Sequence, residues 1–168
     1  MVKVVQATTP EQLDAVRNLM RAFSDWHYVR HAAYRDLIDQ YFDGTTFENE
    51  LRGLPGKFSP PRGCLLVASV GADYAGCVGL RDIGEGVCEM KRLFVLPQYQ
   101  GCGVGKVLAK AILDEAKGLG FHMMRLDTGP NSTEAQDIYR KLGFLEIQPY
   151  YAVDDRMRDW LTFMERPL

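Results

Sequence analysis

The glycine-rich turn Gln100-Gly101-Cys102-Gly103-Val104-Gly105 limits what this chain can fold into more than any other stretch. Around it, Cys88 to Gly105 reads as a buried strand, a bend marked by Pro97, and a turn that opens directly into an apolar-periodic helix, Lys106 to Lys117. Glycines at alternate positions let backbone N–H groups approach a ligand without side-chain obstruction. The first N–H groups of the helix lack intrahelical partners, and the helix dipole favours negative charge there. The turn is therefore a cradle for an anion, and a diphosphate is its natural guest.

The 168 residues suit one domain, 1–168, with a substantial core. Hydrophobic residues make up 46% and charged residues 25%, the balance of a folded, soluble protein. A formal net charge of −2 lacks the basic surplus of a nucleic-acid or anionic-membrane binder, so neither partner is expected. The N-terminus MVKVVQATTP has no apolar signal core. No run approaches the ~20 apolar residues of a membrane span. Cys64, Cys77, Cys88 and Cys102 form no CxxC pair, so they read as reduced thiols of a cytoplasmic protein rather than as metal ligands.

In chain order, Val2 to Gln6 is β-prone. Thr9, Pro10 and Gln12 make a capping box for a helix whose stripe is Leu13, Val16, Leu19, Met20 and Phe23, ending near Asp25. A second helix is expected around Leu37 to Phe42, interrupted at Gly44, with a further short piece through Phe47 and Leu51. Leu54 to Arg62 reads as loop. Cys64–Val70, Tyr74–Arg81 and Val87–Leu96 read as an antiparallel meander. After the glycine turn and its helix, Met123–Thr128 closes a parallel crossover. Asn131 with Glu134 resembles a capping box for a helix over Thr133–Leu142, ended by Gly143. Phe144–Gln148 and Leu161–Glu165 are the last strands, joined by a charged, mobile-looking connection, Ala152–Asp159. The expected fold is mixed α/β (α+β): six or seven mostly antiparallel strands with helices on both sides.

Two phosphate-binding patterns fail on the residues. A P-loop needs Ser or Thr after its lysine, and Lys106 is followed by Val107. A dinucleotide fingerprint needs G-x-G-x-x-G, and here the spacing is one residue short, with no parallel βαβ start before it. The segment instead resembles the [QR]-x-x-G-x-[GA] pyrophosphate loop of the GCN5-related N-acetyltransferases, led in by Val95-Leu96-Pro97. Asn131 to Ala135, Tyr139 and Leu142-Gly143-Phe144 are similar to that family's N-x-x-A-x-x-x-Y-x-x-x-G-F pattern. Element order agrees along nearly the whole chain, with the specific motifs concentrated between Glu89 and Phe144.

The resemblance implies a GNAT-like sheet, acetyl-CoA as co-substrate, no metal, and a small-molecule or peptide amine as acceptor. A homodimer is a common state among relatives. It assigns the CoA pyrophosphate to the backbone of Gln100, Gly101, Cys102, Gly103, Val104, Gly105 and Lys106. Backbone groups of Leu93, Phe94 and Val95 would pair with the pantetheine arm like an added strand, and the Val95 N–H is the expected oxyanion donor. Tyr139 lies where the family places its general acid; a phenol with a pKa near ~10 stays protonated at neutral pH and can donate to a thiolate. Asn131 is expected either to touch the pantetheine or only to cap its helix.

Strict alternation puts Glu89, Lys91, Leu93 and Val95 on one strand face, a facing that a β-bulge would change. On that reading Glu89 is the expected base, directly or through a water, or a counter-ion for the ammonium; a salt bridge to Lys91 or Arg92 is the structural alternative. His27 and His31 form an i,i+4 pair if the first helix extends that far, with no third metal ligand in sight and a place in the acceptor pocket open to them. The functional expectation is acetyl transfer to a primary amine by direct attack in a ternary complex. The alternative is an acetyl-CoA-binding sensor without turnover. Residues 26–62 and 149–160 are expected to carry acceptor identity.

Overall fold

The computed structural model describes residues 1–168. Strands β1 (Val2–Gln6), β2 (Cys64–Val70), β3 (Asp73–Gly84), β4 (Val87–Val95), β5 (Met123–Thr128), β6 (Leu145–Ile147) and β7 (Thr162–Pro167) form one seven-stranded sheet, in the order β1-β2-β3-β4-β5-β7-β6. Every neighbouring pair is antiparallel except β4–β5, which the helix α4 (Val104–Gly118) joins by a crossover. The expected mixed α/β fold is what the chain adopts.

Period-two patterning divides the core into two layers. Cys64, Leu66 and Ala68 of β2 pack with Met90, Met124 and Leu126 beneath Leu108, Ile112 and Ala116 of α4. Leu65 and Val67 point the other way, onto α1 (Pro10–Arg30), α2 (Arg35–Tyr41) and α3 (Gly44–Arg52), meeting Val16, Met20, Ile38, Phe42 and Leu51. Tyr139 of α5 (Thr133–Lys141) joins the first layer. Met157 and Trp160 of α6 (Asp155–Trp160) join the second. No helix is long and apolar enough to cross a membrane.

Local chemistry sets most boundaries. The Thr9 hydroxyl accepts from the Gln12 N–H at 3.2 Å, and the Gln12 side chain accepts from the Thr9 N–H at 3.1 Å, so the capping box forms. Three expectations change. α1 runs on to Arg30 because its buried stripe continues through His27, a polar residue in an apolar position. The connection 152–159 is not loose: Asp154 accepts from the Met157 N–H at 2.9 Å and starts α6, whose Met157 and Trp160 are buried. Asn131 does not cap α5. Ser132 holds the cap position without a side-chain bond, while Asn131 Nδ2 donates to the Arg30 carbonyl at 3.1 Å and Glu134 pairs with Arg30 at 3.0 Å.

Where β3 crosses the 56–58 turn there is no room for a side chain. A Cβ on Gly79 would lie 2.6 Å and 2.7 Å from two ring carbons of Phe58, which is fully buried. Gly79→Ala should cost about 1–3 kcal/mol of stability by overpacking. Urea unfolding would show a lower midpoint at unchanged slope. An unchanged midpoint would mean that Phe58 yields freely.

Candidate active site

The site follows from an irregularity in β4. Gly79 pairs with Lys91 and Cys77 with Phe94, so Val78 faces both Arg92 and Leu93. Arg92 takes φ 61°, a left-handed conformation costly for a side-chain-bearing residue. This bulge turns the strand over. Lys91 and Arg92 both point to the α1–α3 side: the Lys91 ammonium lies 5.6 Å from the Tyr41 ring centre, and the Arg92 guanidinium 5.2 Å from that of Phe42. Leu93 and Val95 then face the α4 layer and Phe94 faces Phe23 of α1. Glu89 therefore does not share a face with Leu93 and Val95, contrary to strict alternation.

Parallel pairing of β4 with β5 ends at Glu89–Arg125. Beyond it a cavity of about 430 Å³ lies at the carboxyl ends of the two strands. One end of it is lined by Leu93, Phe94, Val95, Gln100, Gly101 and Gly103 to Lys106. Gly101 and Gly103 have φ 79° and 83° with open space around them, as a close-approaching backbone requires. Gly105 serves packing instead: a Cβ there would lie 3.0 Å from Ile138 of α5. Gly103 caps α4, and the first helical bond is Val107 N–H to Gly103 O at 3.1 Å, which leaves the N–H groups of Val104 to Lys106 without helical partners. Leu96 N–H bonds to Ala75 O at 2.9 Å, so by antiparallel alternation the neighbouring Val95 directs its N–H and C=O away from β3. Gln100 Nε2 donates to that carbonyl at 3.0 Å.

Tyr139 is buried against Phe144 and lines the same cavity. Burial, then the charge of Asp127, raises its phenol well above the ordinary value. No protein group takes or gives a hydrogen bond at its hydroxyl, which opens on the cavity.

The other end of the cavity, away from the cradle, is lined by Phe23, Trp26, His27, Tyr41, Lys91, Arg92, Asp127 and Trp160. Asp127 Oδ1 accepts from Tyr41 at 2.5 Å and Oδ2 from Tyr151 at 2.8 Å, and Lys91 Nζ lies 3.7 Å away. Burial would raise this carboxyl, but Lys91, the two phenols and Arg92 outweigh it and hold Asp127 below the ordinary range. Arg92 is spent on Glu50, with bonds of 2.9 and 3.1 Å, and Lys57 joins Glu50 at 2.6 Å. Glu89 lies outside this cavity and lines a neighbouring one of about 400 Å³, which shares the wall of Tyr41, Lys91 and Arg92. Its carboxylate is 1% exposed, with Arg81 at 2.7 Å, Tyr150 at 2.5 Å and Lys91 at 3.8 Å.

The two histidines form a neutral relay. Asn131 N–H, which can only donate, meets His31 Nε2 at 3.1 Å. That places the His31 proton on Nδ1, which faces His27 Nδ1 at 3.2 Å, and leaves the His27 proton on Nε2. Burial, then His31 and the nearby arginines, bring His27 down to about 3, and burial lowers His31 as well. The His31 ring fits because residue 129 is glycine; a Cβ there would lie 2.8 Å from His31 Nε2.

The fold thus brings Leu93, Phe94, Val95, Gln100, Gly101, Gly103, Val104, Gly105, Lys106 and Tyr139 around one space. Cys102 is exposed on the cradle's rim, and Asn131 is turned to α1. Asp127 escaped the sequence analysis. The available signal was register: β5 runs parallel to β4, and counting on from Glu89–Arg125 sets Asp127 opposite Lys91.

Residues 17–144 match the pattern of the Acetyltransferase (GNAT) family. An uncharacterized N-acetyltransferase of Schizosaccharomyces pombe is 36% identical over 127 residues, covering 70% of this chain and 78% of its own. One from Dictyostelium discoideum is 28% identical, covering 90% and 92%. The PaiA N-acetyltransferase of Thermoplasma acidophilum, solved with coenzyme A, shares the fold with a TM-score of 0.75 at 20% identity, covering 100% of this chain and 99% of that one.

The ion pair under the bulge carries a pH signature. Burial raises the Glu50 carboxyl, but Arg92 and then Lys57 bring it down from 4.5 to about 2. A folded-state value below the unfolded one means that the pair stabilises above the ordinary range and loses that contribution as pH falls through it. Wild-type unfolding midpoints should drop between about pH 5 and about pH 2, and Glu50→Gln should start lower and drop less. Parallel drops in the two proteins would show that Glu50 is not the group responsible.

Proposed function

The chain belongs to the GNAT acetyltransferase family, whose members use acetyl-CoA, and from that premise we propose that it moves the acetyl group to a primary amine by direct attack in a ternary complex. The observation that carries this reading is the joining of cradle, outward-facing Val95 and unpaired Tyr139 hydroxyl in one cavity. The residues present fit the donor. Unpartnered N–H groups at the start of α4 and the open space at Gly101 and Gly103 suit a diphosphate. The β4 edge left free beyond Glu89 suits an extended, amide-bearing arm.

In this mechanism the acceptor nitrogen forms a bond to the thioester carbonyl carbon, and the C–S bond breaks. Val95 N–H stabilises the oxyanion, a kind of contact worth ~10²–10³ in rate. Tyr139 gives its proton to the departing sulfur, its raised pKa keeping that proton in place until negative charge develops there, and the second proton that the nitrogen loses as the amide forms makes good the one Tyr139 gave. Asp127 is the carboxylate that faces the acceptor end, so it receives the ammonium and takes its proton. Glu89 holds Lys91 from behind and keeps the Arg81–Glu89–Lys91–Asp127 row in order. No observation favours the sensor alternative, since the unpaired Tyr139 hydroxyl and the outward Val95 amide meet in the cavity that Asp127 also lines.

Release of free thiol from acetyl-CoA across an amine library tests the activity. Tyr139→Phe should lower kcat by about 10²-fold or more with little change in acetyl-CoA affinity. Asp127→Asn should lower kcat/KM by about 10²-fold and flatten the acid limb of the pH–rate profile, whereas Glu89→Gln should leave that limb in place. An unchanged kcat in Tyr139→Phe would remove the acid assignment. Loss of the limb in Glu89→Gln alone would return the base to Glu89.

A further inference from the structure

The acceptor end of the cavity holds more unspent hydrogen-bond donors than acceptors. Arg92 is used up by Glu50. Lys91, by contrast, sits between two carboxylates at 3.7 and 3.8 Å, ion-paired but too distant to hydrogen-bond either. His27 presents its Nε2–H, since its other nitrogen accepts from His31. The ring of Trp160 lines the same wall, but its indole N–H is sealed without a partner and offers the cavity nothing. Against these donors stands Asp127, with a phenol already on each oxygen; the cavity's other carboxylates, Glu134 and Asp137, lie on α5, with Glu134 paired to Arg30.

Such a wall discriminates between classes of amine. A polyamine would bring a second positive charge toward Lys91 and Arg92. A plain alkylamine would satisfy Asp127 and leave Lys91 with its two distant ion pairs and no hydrogen-bond acceptor. A molecule with an ammonium and a carboxylate on one carbon matches both charges at once. Its two charged groups lie at the spacing of Asp127 and Lys91, 3.7 Å apart, so each meets its opposite. The rest of the wall, Phe23, Trp26, Phe94 and Leu161, is apolar or aromatic.

We propose that the acceptor is a free α-amino acid with an apolar side chain, its amine at Asp127 and its carboxylate at Lys91. This rests on the acetyl-transfer reading above. His27 is a positioning donor in this arrangement: its proton is held on Nε2 by Asn131 and His31, so it offers the bound acceptor an N–H and accepts nothing.

The test compares leucine and phenylalanine with 3-methylbutylamine and phenethylamine, which lack only the carboxylate, and with the two amino-acid amides. Rates of acetyl-CoA-dependent thiol release are expressed per unprotonated amine. The amino acids should exceed both analogues by about 10- to 100-fold in kcat/KM, the worth of one charge-assisted hydrogen bond. Lys91→Met should bring that ratio to within about threefold, and Lys91→Arg should restore most of it. The ratio is internal to each protein, so a variant that merely folds less well lowers both rates and leaves it intact. Amines that match the amino acids, or a Lys91→Met protein that keeps the wild-type ratio, would overturn the acceptor class and leave acetyl transfer standing. Amides that win would overturn it in favour of a peptide N-terminus. No turnover with any amine would overturn the acetyl-transfer reading and this inference with it.

Discussion

At Arg92 the backbone takes φ 61°, and the site is arranged around that one residue. A side-chain-bearing residue held there costs about 1–3 kcal/mol. Two charge-assisted hydrogen bonds to Glu50, each worth about 1.5–3 kcal/mol, are enough to hold it. The guanidinium also lies against Phe42 and Phe47, at 5.2 and 5.1 Å from their ring centres, so α2 and α3 are docked by the same contact. One strained residue thus sets the facing of β4 beyond it, the separation from β5 and the position of the helices that roof the acceptor end.

The consequence is a division of labour along a single strand. Before the bulge, β4 is ordinary sheet: Cys88 and Met90 pack under α4, and Glu89 is sealed among Arg81, Tyr150 and Lys91. After it, β4 has lost its partner on the β5 side, and Val95 turns its amide outward into the space that opens. The glycine turn then follows within a few residues. The glycine turn and the outward amide of Val95 are therefore tied to one rigid element rather than to separate loops, which in the proposed function favours precise placement of a thioester.

Much of this was legible in the sequence, and the exceptions have physical causes. The capping box at Thr9, the glycine turn that opens into a helix and the meander of β2, β3 and β4 are local patterns, and they formed as read. The end of α1 was obscured because His27 occupies a position where an aliphatic residue would have continued the stripe. The orientation of Glu89 depended on a bulge, which no alternation rule reveals; Arg92 is not a glycine or asparagine that would advertise positive φ. Asn131 had the right spacing for a cap, but its amide is drawn to the free carbonyl of Arg30 at the end of α1. That competition between one helix's start and another's end is a tertiary fact, absent from any local window.

The same competition explains why the acceptor end is built as it is. Asn131 ties the β5–α5 loop to the end of α1 three times: its side chain donates to the Arg30 carbonyl, its backbone N–H donates to His31, and its carbonyl accepts from the Arg30 guanidinium. The second bond decides a tautomer, and the tautomer decides that His27 meets the cavity as a donor. A proton arriving at His27 would have nowhere to go, because the relay ends on a backbone N–H that cannot accept it. The histidines thus meet the cavity as neutral groups, while Lys91 and two phenols keep the carboxylate of Asp127 charged against the cost of burial. The polar groups of this end are sorted by the direction in which each is allowed to hydrogen-bond, and in the proposed function the carboxylate of Asp127 is where an amine would enter.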